Sequence, residues 1–218
     1  MKNKKIWEFI SLLLVLAVIV SAFYFYQHLP DKIITHWNAA GEADGWGSKN
    51  FQVIFLPLLV LFMHLLFKYL PKFDPKKRNY EKFANVYGIF RVVIIAFFAA
   101  VYFMTSLINL GYDISISLVM PFLVGLLFVV IGIMMKDIKP NWFIGIRTPW
   151  TLSDDRVWKK THDYGGRAFI LAGLLFVLLA FLPEGLFVYG FAVIMLLILS
   201  SVIYSYFVYK GLKNSPKP

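Results

Sequence analysis

Apolar residues fall in six long blocks along this 218-residue chain, and short polar stretches separate them. The blocks are too long and too continuous for the alternation of a half-buried sheet, so they predict membrane-crossing helices. The first block, Ile6 to Tyr26, is interrupted by Glu8 and Ser11 and follows the basic run Lys2, Lys4 and Lys5. A secretory signal has an apolar core of about 7–15 residues and a small-residue cleavage site. This block runs longer and no A-x-A-like site follows it, so it is expected to stay attached as the first span.

The remaining blocks are Phe51 to Leu70 (bounded by Pro71), Tyr87 to Asn109, Ile116 to Met135, Ala168 to Leu182 and Leu186 to Tyr209. The fifth is short against the roughly 20 residues a span needs. It is expected to borrow length from Tyr164-Gly165-Gly166-Arg167, or to tilt or sit in thinned bilayer. The predicted fold class is an all-α integral membrane protein of about six transmembrane helices. The chain divides into a two-span unit over residues 1–70, a basic connector over 71–86 and a four-span region over 87–218. That last region contains a large polar loop over 136–167. No internal repeat is evident, so the inverted-repeat plan of many transporters gains no support.

Composition sharpens the picture. Hydrophobic residues make up 60% of the chain and charged residues 16%, against about 25% charged in a soluble domain. Mean hydropathy is +0.70. The net charge of +10 is spread over short clusters between apolar blocks. No basic domain exists to grip phosphates, and direct nucleic-acid binding is not expected. With the N-terminus inside, only Lys32 and Lys49 of the 22 Lys and Arg residues fall in outer segments. That asymmetry predicts a multi-pass membrane protein with both termini cytoplasmic. Cysteine is absent, which excludes disulfides, thiolate metal sites and cysteine nucleophiles.

The large inner loop carries Asn141-Trp142-Phe143-Ile144-Gly145-Ile146-Arg147-Thr148-Pro149-Trp150-Thr151-Leu152. Pro149 disfavours the helical region at Thr148. Beyond it, Ser153 is a good N-cap, with Asp154 and Asp155 in the first turn, predicting a short helix from Asp154 to Tyr164. Val157, Trp158, Thr161 and Tyr164 recur at helical spacing. The helix should be amphipathic and lie at the inner membrane surface with its Trp at headgroup depth, and Gly165-Gly166 should turn the chain into the fifth span. The loop is either a docking surface, with Trp142, Arg147, Trp150 and Trp158 as anchors, or an interfacial belt in which Arg147 caps a helix C-terminus.

The outer loop, His28 to Asn50, combines an extended Ile33 to Trp37 with a turn-rich tip from Asn38 to Gly47. It reads as a cap contacting an external molecule, or as a membrane anchor through Trp37 and Trp46. His28, His36, Glu42 and Asp44 match no ligand motif, so no metal is expected. Within the spans, His64 is either functional or neutral and satisfied by a neighbouring helix, and Arg91 can snorkel. No chain of carboxylates crosses the bilayer, which weakens a transporter reading. There is no G-x-S-x-G, no pair of intramembrane aspartates and no phosphate-cradling loop. No catalytic residues, cofactor or enzymatic activity are expected.

The stretch Ile144 to Leu152, followed by Val157-Trp158 and Thr161-His162, resembles the signature of the SdpI family of multi-pass immunity proteins. Leu29-Pro30 through His36-Trp37-Asn38, Gly41 and Ser48-Lys49 resemble the DUF1648-type region that precedes it in such proteins. The resemblance implies protection against a secreted membrane-active killing peptide of the sporulation-delaying type. In part of the family it also implies capture of a cytoplasmic ArsR-type autorepressor. On that reading Arg147, Thr148, Pro149, Trp150 and Trp158 would serve the inner partner, and His36, Trp37, Asn38, Gly41 and Trp46 the toxin. The alternative is a small transporter or flippase of amphiphilic peptides or lipids.

Overall fold

The computed structural model describes residues 2–213. Its elements are α1 (Lys2–His28), β1 (Lys32–Trp37), β2 (Ala43–Ser48), α2 (Leu56–Phe73), α3 (Asn79–Lys82), α4 (Ala84–Asn109), α5 (Ile116–Met135), α6 (Pro149–Ser153), α7 (Asp155–Leu179) and α8 (Phe187–Lys213). A π-helical turn at Phe51–Phe55 leads into α2, and a 3-10 turn at Glu184–Leu186 leads into α8. Among the described residues, six helices are long and apolar enough to cross a bilayer: α1, α2 with its π turn, α4, α5, α7 and α8. The protein is therefore an all-α multi-pass membrane protein, with one two-stranded antiparallel hairpin among its described residues.

The chain forms two compact units. The first takes residues through Tyr69 together with Gly88–Leu123. Val15, Val18, Ala22 and Phe25 recur three or four residues apart on α1, so they line one face, and Leu29 just beyond the helix end continues it. That face packs with Val60 of α2 and with Ile95, Ala99 and Tyr102 of α4. Ile33 of β1 belongs to the same cluster, which seats the hairpin on the helices. Gln52, in the π turn, is buried and donates from Nε2 to the hydroxyls of Thr105 (2.9 Å) and Ser106 (2.6 Å) on α4. A buried amide satisfied this way fixes where the second span enters.

The second unit takes Leu70–Tyr87 and the chain from Val124 onward. Here α5 and α7 cross on paired glycines spaced by seven residues. A Cβ on Gly132 would lie 2.6 Å from the Gly166 carbonyl oxygen, and one on Gly125 would lie 2.6 Å from that of Gly173. Such contact requires the absence of side chains, and small residues drive helix association where lipid removes any hydrophobic incentive. Ala172, Phe176 and Leu179 of α7 and Ile194 of α8 continue this core.

Several expectations are corrected. The fifth span does take length from Tyr164-Gly165-Gly166-Arg167, but its helix begins farther back: α7 runs unbroken for 25 residues from Asp155, about 37 Å at 1.5 Å per residue. Gly165 and Gly166 lie inside it and make no turn, because both are buried, with Gly166 against Gly132 of α5. The expected surface helix Asp154 to Tyr164 is thus the polar end of this span. A short helix does precede it, but it is the five-residue α6. Its successor is capped by Asp154, which accepts from the Arg156 N–H at 2.7 Å, and not by Ser153. α2 continues two residues beyond Pro71, to Phe73. The stretch after it is more than a solvated connector: Lys72, Lys77, Arg78 and Lys82 are exposed, while Asp74, Tyr80 and Phe83 are buried.

Candidate functional site

The polar loop between α5 and α7 is held from inside by side chains that replace missing regular structure. Pro149 opens α6, where its lacking N–H is harmless. Thr148 before it is extended (φ −106°, ψ 162°), as the proline ring requires. The Thr148 hydroxyl accepts from the Thr151 N–H (3.2 Å), and the Thr151 hydroxyl accepts from the Thr148 N–H (2.9 Å), a reciprocal cap. The Ser205 hydroxyl donates to the Val202 carbonyl, so at 3.0 Å it accepts from Thr148 and ties α6 to α8.

Upstream, Asn141 is fully buried and serves as an internal template. Its Oδ1 accepts from the N–H groups of Phe143 (2.9 Å) and Ile144 (2.7 Å), and its Nδ2 donates to the carbonyls of Lys139 and Ile144, both at 3.0 Å. Asp74 is 2% exposed. It accepts from the Trp142 N–H and the Tyr80 hydroxyl, each at 2.9 Å, and from the Lys76 N–H at 2.7 Å. Three donors explain how a carboxylate is tolerated in a buried place. Burial, and then the Asp74 bond, hold the Tyr80 phenol well above the ordinary tyrosine range. Asn79 adds a bond from Nδ2 to the Pro140 carbonyl at 2.7 Å.

His162 closes the loop onto α7. Its Nδ1 lies 2.8 Å from the Trp158 carbonyl and its Nε2 accepts from the Ile146 N–H at 3.1 Å. A carbonyl can only accept and an N–H can only donate, so the proton sits on Nδ1 and the ring is neutral. The ring stacks on Trp158 at 4.1 Å. Gly145, at φ +107°, passes directly over the ring, where a Cβ would collide with Nε2. Trp158 is 2% exposed and donates from Nε1 to the Ile138 carbonyl at 2.9 Å. It is a buried strut, not a headgroup-level anchor, because its helix face packs inward with Val157, Thr161 and His162.

The five inner-loop residues singled out by sequence therefore separate. Thr148 and Trp158 are buried and hold the loop's shape. Arg147 and Pro149 are exposed, and Trp150 is half-buried against Tyr206 at 5.2 Å. Arg147 donates from Nη1 to the Trp142 carbonyl at 2.6 Å, a loop carbonyl and not a helix end. Trp142 (48% exposed) and Phe143 (36%) complete an open aromatic tip over a rigid base.

The hairpin of the first unit is built differently. Asn38 accepts at Oδ1 from the N–H groups of Ala40 and Glu42, both at 3.0 Å, and donates to the Glu42 carboxylate at 3.1 Å. Gly41 supplies the positive φ of +80° that the turn needs. These two residues shape the tip. Asn109, at the end of α4, accepts from the Ile34 N–H (2.7 Å) and donates to the Ile34 carbonyl (3.0 Å), acting as a one-residue strand against β1. His36 pairs with Asp44 across the strands, and both are largely solvent-facing. Trp46 is 53% exposed with Lys32 Nζ 5.7 Å from its ring centre, while Trp37 is half-buried. Among the described residues, no three His, Asp or Glu side chains gather to hold a metal ion.

Comparison with known proteins matches both regions. Residues 137–205 match the SdpI/YfhL protein family, and residues 12–61 match the domain of unknown function DUF1648. The chain is also 28% identical over 207 residues to the immunity protein SdpI of Bacillus subtilis (strain 168), covering 94% of this chain and 97% of that protein. The chain is of the SdpI/DUF1648-like family. No solved structure matches it. The SdpI-like region contains the Asn141 template, the Thr148 cap and the His162 strut, and the DUF1648-like region contains the hairpin. Asp74, Tyr80 and Asn109 lie outside both regions yet brace them. Sequence reasoning passed over Asp74 and Tyr80 because they sit in a lysine-rich stretch that reads as solvated. Asn109 reads from the sequence only as the last residue of the third apolar block.

Proposed function

We propose that this SdpI-like protein protects the cell that carries it from a secreted, membrane-active killing peptide, by binding that peptide. The observation that carries the reading is the similarity to the immunity protein SdpI along nearly the full length of both chains. The Lys and Arg asymmetry supports an orientation with both termini and the 136–154 loop on the cytoplasmic side and the hairpin outside. The hairpin is then an ordered surface open to an arriving peptide. His36 and Trp46 offer exposed contacts, Trp37 a partly exposed one, and Asn38 and Gly41 preset the backbone. A preset surface loses less conformational freedom on binding. No catalysis is assigned.

On the other side, Trp142, Phe143, Arg147, Pro149 and Trp150 form the surface available to a cytoplasmic ArsR-type repressor, with Thr148 and Trp158 as its foundation. Purified protein in detergent should retain a sporulation-delaying-type peptide at micromolar concentration, and Trp46→Ala with His36→Ala should weaken retention about tenfold or more. Absence of retention by the wild-type protein refutes binding as the mechanism.

A further inference from the structure

The two edges of the outer hairpin are finished differently. Lys49 donates its backbone N–H to the Asp31 carbonyl at 3.0 Å, which makes these two facing residues a hydrogen-bonded pair. Facing residues of an antiparallel ladder alternate between bonded and non-bonded pairs. Followed along the register, Ile33 and Gly47 form the next bonded pair, while Lys32 with Ser48 and Ile34 with Trp46 are non-bonded pairs. The backbone groups of those four residues therefore point away from the partner strand. On the β1 side Asn109 occupies them, taking both the N–H and the carbonyl of Ile34.

The β2 side has no such clamp. Among the described residues, no side chain bonds the outward N–H and carbonyl of Trp46 or the outward N–H of Ser48. Trp46 and Ser48 are exposed, and Gly45 and Gly47 are half-buried. Glycine has no side chain, so what is exposed at those two positions is backbone. Native sheets blunt an open edge with Lys, Pro or a covering segment. β2 reads Ala43-Asp44-Gly45-Trp46-Gly47-Ser48, with neither Lys nor Pro. Its two glycines also leave one face bare, so a strand laid alongside meets no side chain there.

The chemistry of the edge selects its occupant. Trp46, 53% exposed, faces Ile34 across the ladder and offers an apolar contact. From Ile33 to Ser48 the carboxylates Glu42 and Asp44 are present and no Lys or Arg is. A segment that is apolar beside Trp46 and basic beside Asp44 is complementary. A second copy is not: β2 paired antiparallel with itself about Trp46 sets Gly45 against Gly47 and gains no side-chain pair on that face.

We propose that β2 is a docking edge to which an extended segment of the killing peptide, apolar with a basic residue, adds as a third strand at Trp46 and Ser48. This rests on the reading that the protein binds such a peptide, and it specifies how. Main-chain bonds then supply affinity, and Trp46 and Asp44 supply selection.

The test is hydrogen exchange resolved to single amides on the full chain in detergent, with and without a saturating sporulation-delaying-type peptide. Exchange at Trp46 and Ser48 should slow about tenfold or more on binding, with Ile34, already held by Asn109, unchanged. Retention of the peptide with no slowing at either amide overturns strand addition and leaves peptide binding standing. No retention at all defeats both. Slowing that appears without peptide and grows with protein concentration assigns the edge to a second copy and also overturns the proposal. Ser48→Pro provides an independent arm, because it removes an N–H that the ladder does not use, at an edge position that accepts proline. It should weaken retention about tenfold relative to Ser48→Ala, which keeps that N–H. Equal retention by the two variants overturns strand addition, and the wild-type exchange decides the matter if Ser48→Pro does not fold.

Discussion

Asn141 shows how much one buried side chain can determine. It satisfies two N–H groups and two carbonyls of a loop that has no ladder of its own. Asn141→Ala should therefore destabilise the protein by about 3 kcal/mol, since buried backbone groups lose their partners. Thermal unfolding in detergent, with protease cleavage within 139–147, measures both the loss and its location. Tyr80 adds a pH dependence whose sign follows from its raised pKa. The fold favours the neutral phenol, so its contribution is complete below the ordinary tyrosine range near 10 and declines as pH rises through the higher folded value. Loosening of the loop in alkali should be reduced in Tyr80→Phe, followed by tryptophan fluorescence from Trp142. Little of this was legible in the sequence. Thr148, Pro149 and the extended turn before α6 follow from local rules about proline and caps. Asn141 and Asp74 do not, because their partners are chosen by folding and a buried Asp in a basic stretch has no local signature.

Among the elements, the spans were legible because hydrocarbon imposes length and apolarity on each helix separately. The hairpin's first strand was legible too, from the extended run after Leu29. The unbroken α7 was not, since Gly165-Gly166 is equally compatible with a turn and with close helix contact. The deciding fact is the facing pair Gly125 and Gly132 on α5. Gly132→Leu should prevent that approach and destabilise the protein by about 1–3 kcal/mol, with Gly132→Ala intermediate. Yield of monodisperse protein and its melting temperature check this. For the hairpin, Asn109→Ala removes both bonds to Ile34. Hydrogen exchange at Ile34 should accelerate by about tenfold while exchange in α1 and α4 stays unchanged. Uniform acceleration across the unit would contradict a local clamp.

At the scale of the whole molecule, six spans and a charge-asymmetric set of loops follow from composition and pattern, and family membership follows from two stretches of sequence. What the molecule does depends on whether it defends a cell. The most direct measurement is survival of sensitive cells challenged with a sporulation-delaying-type peptide, with and without this protein at matched membrane expression. Protection by the wild type, reduced by Trp46→Ala and by Asn109→Ala at equal expression, is the predicted result. Equal killing with and without the wild-type protein would contradict the proposal that it is an immunity protein against such peptides.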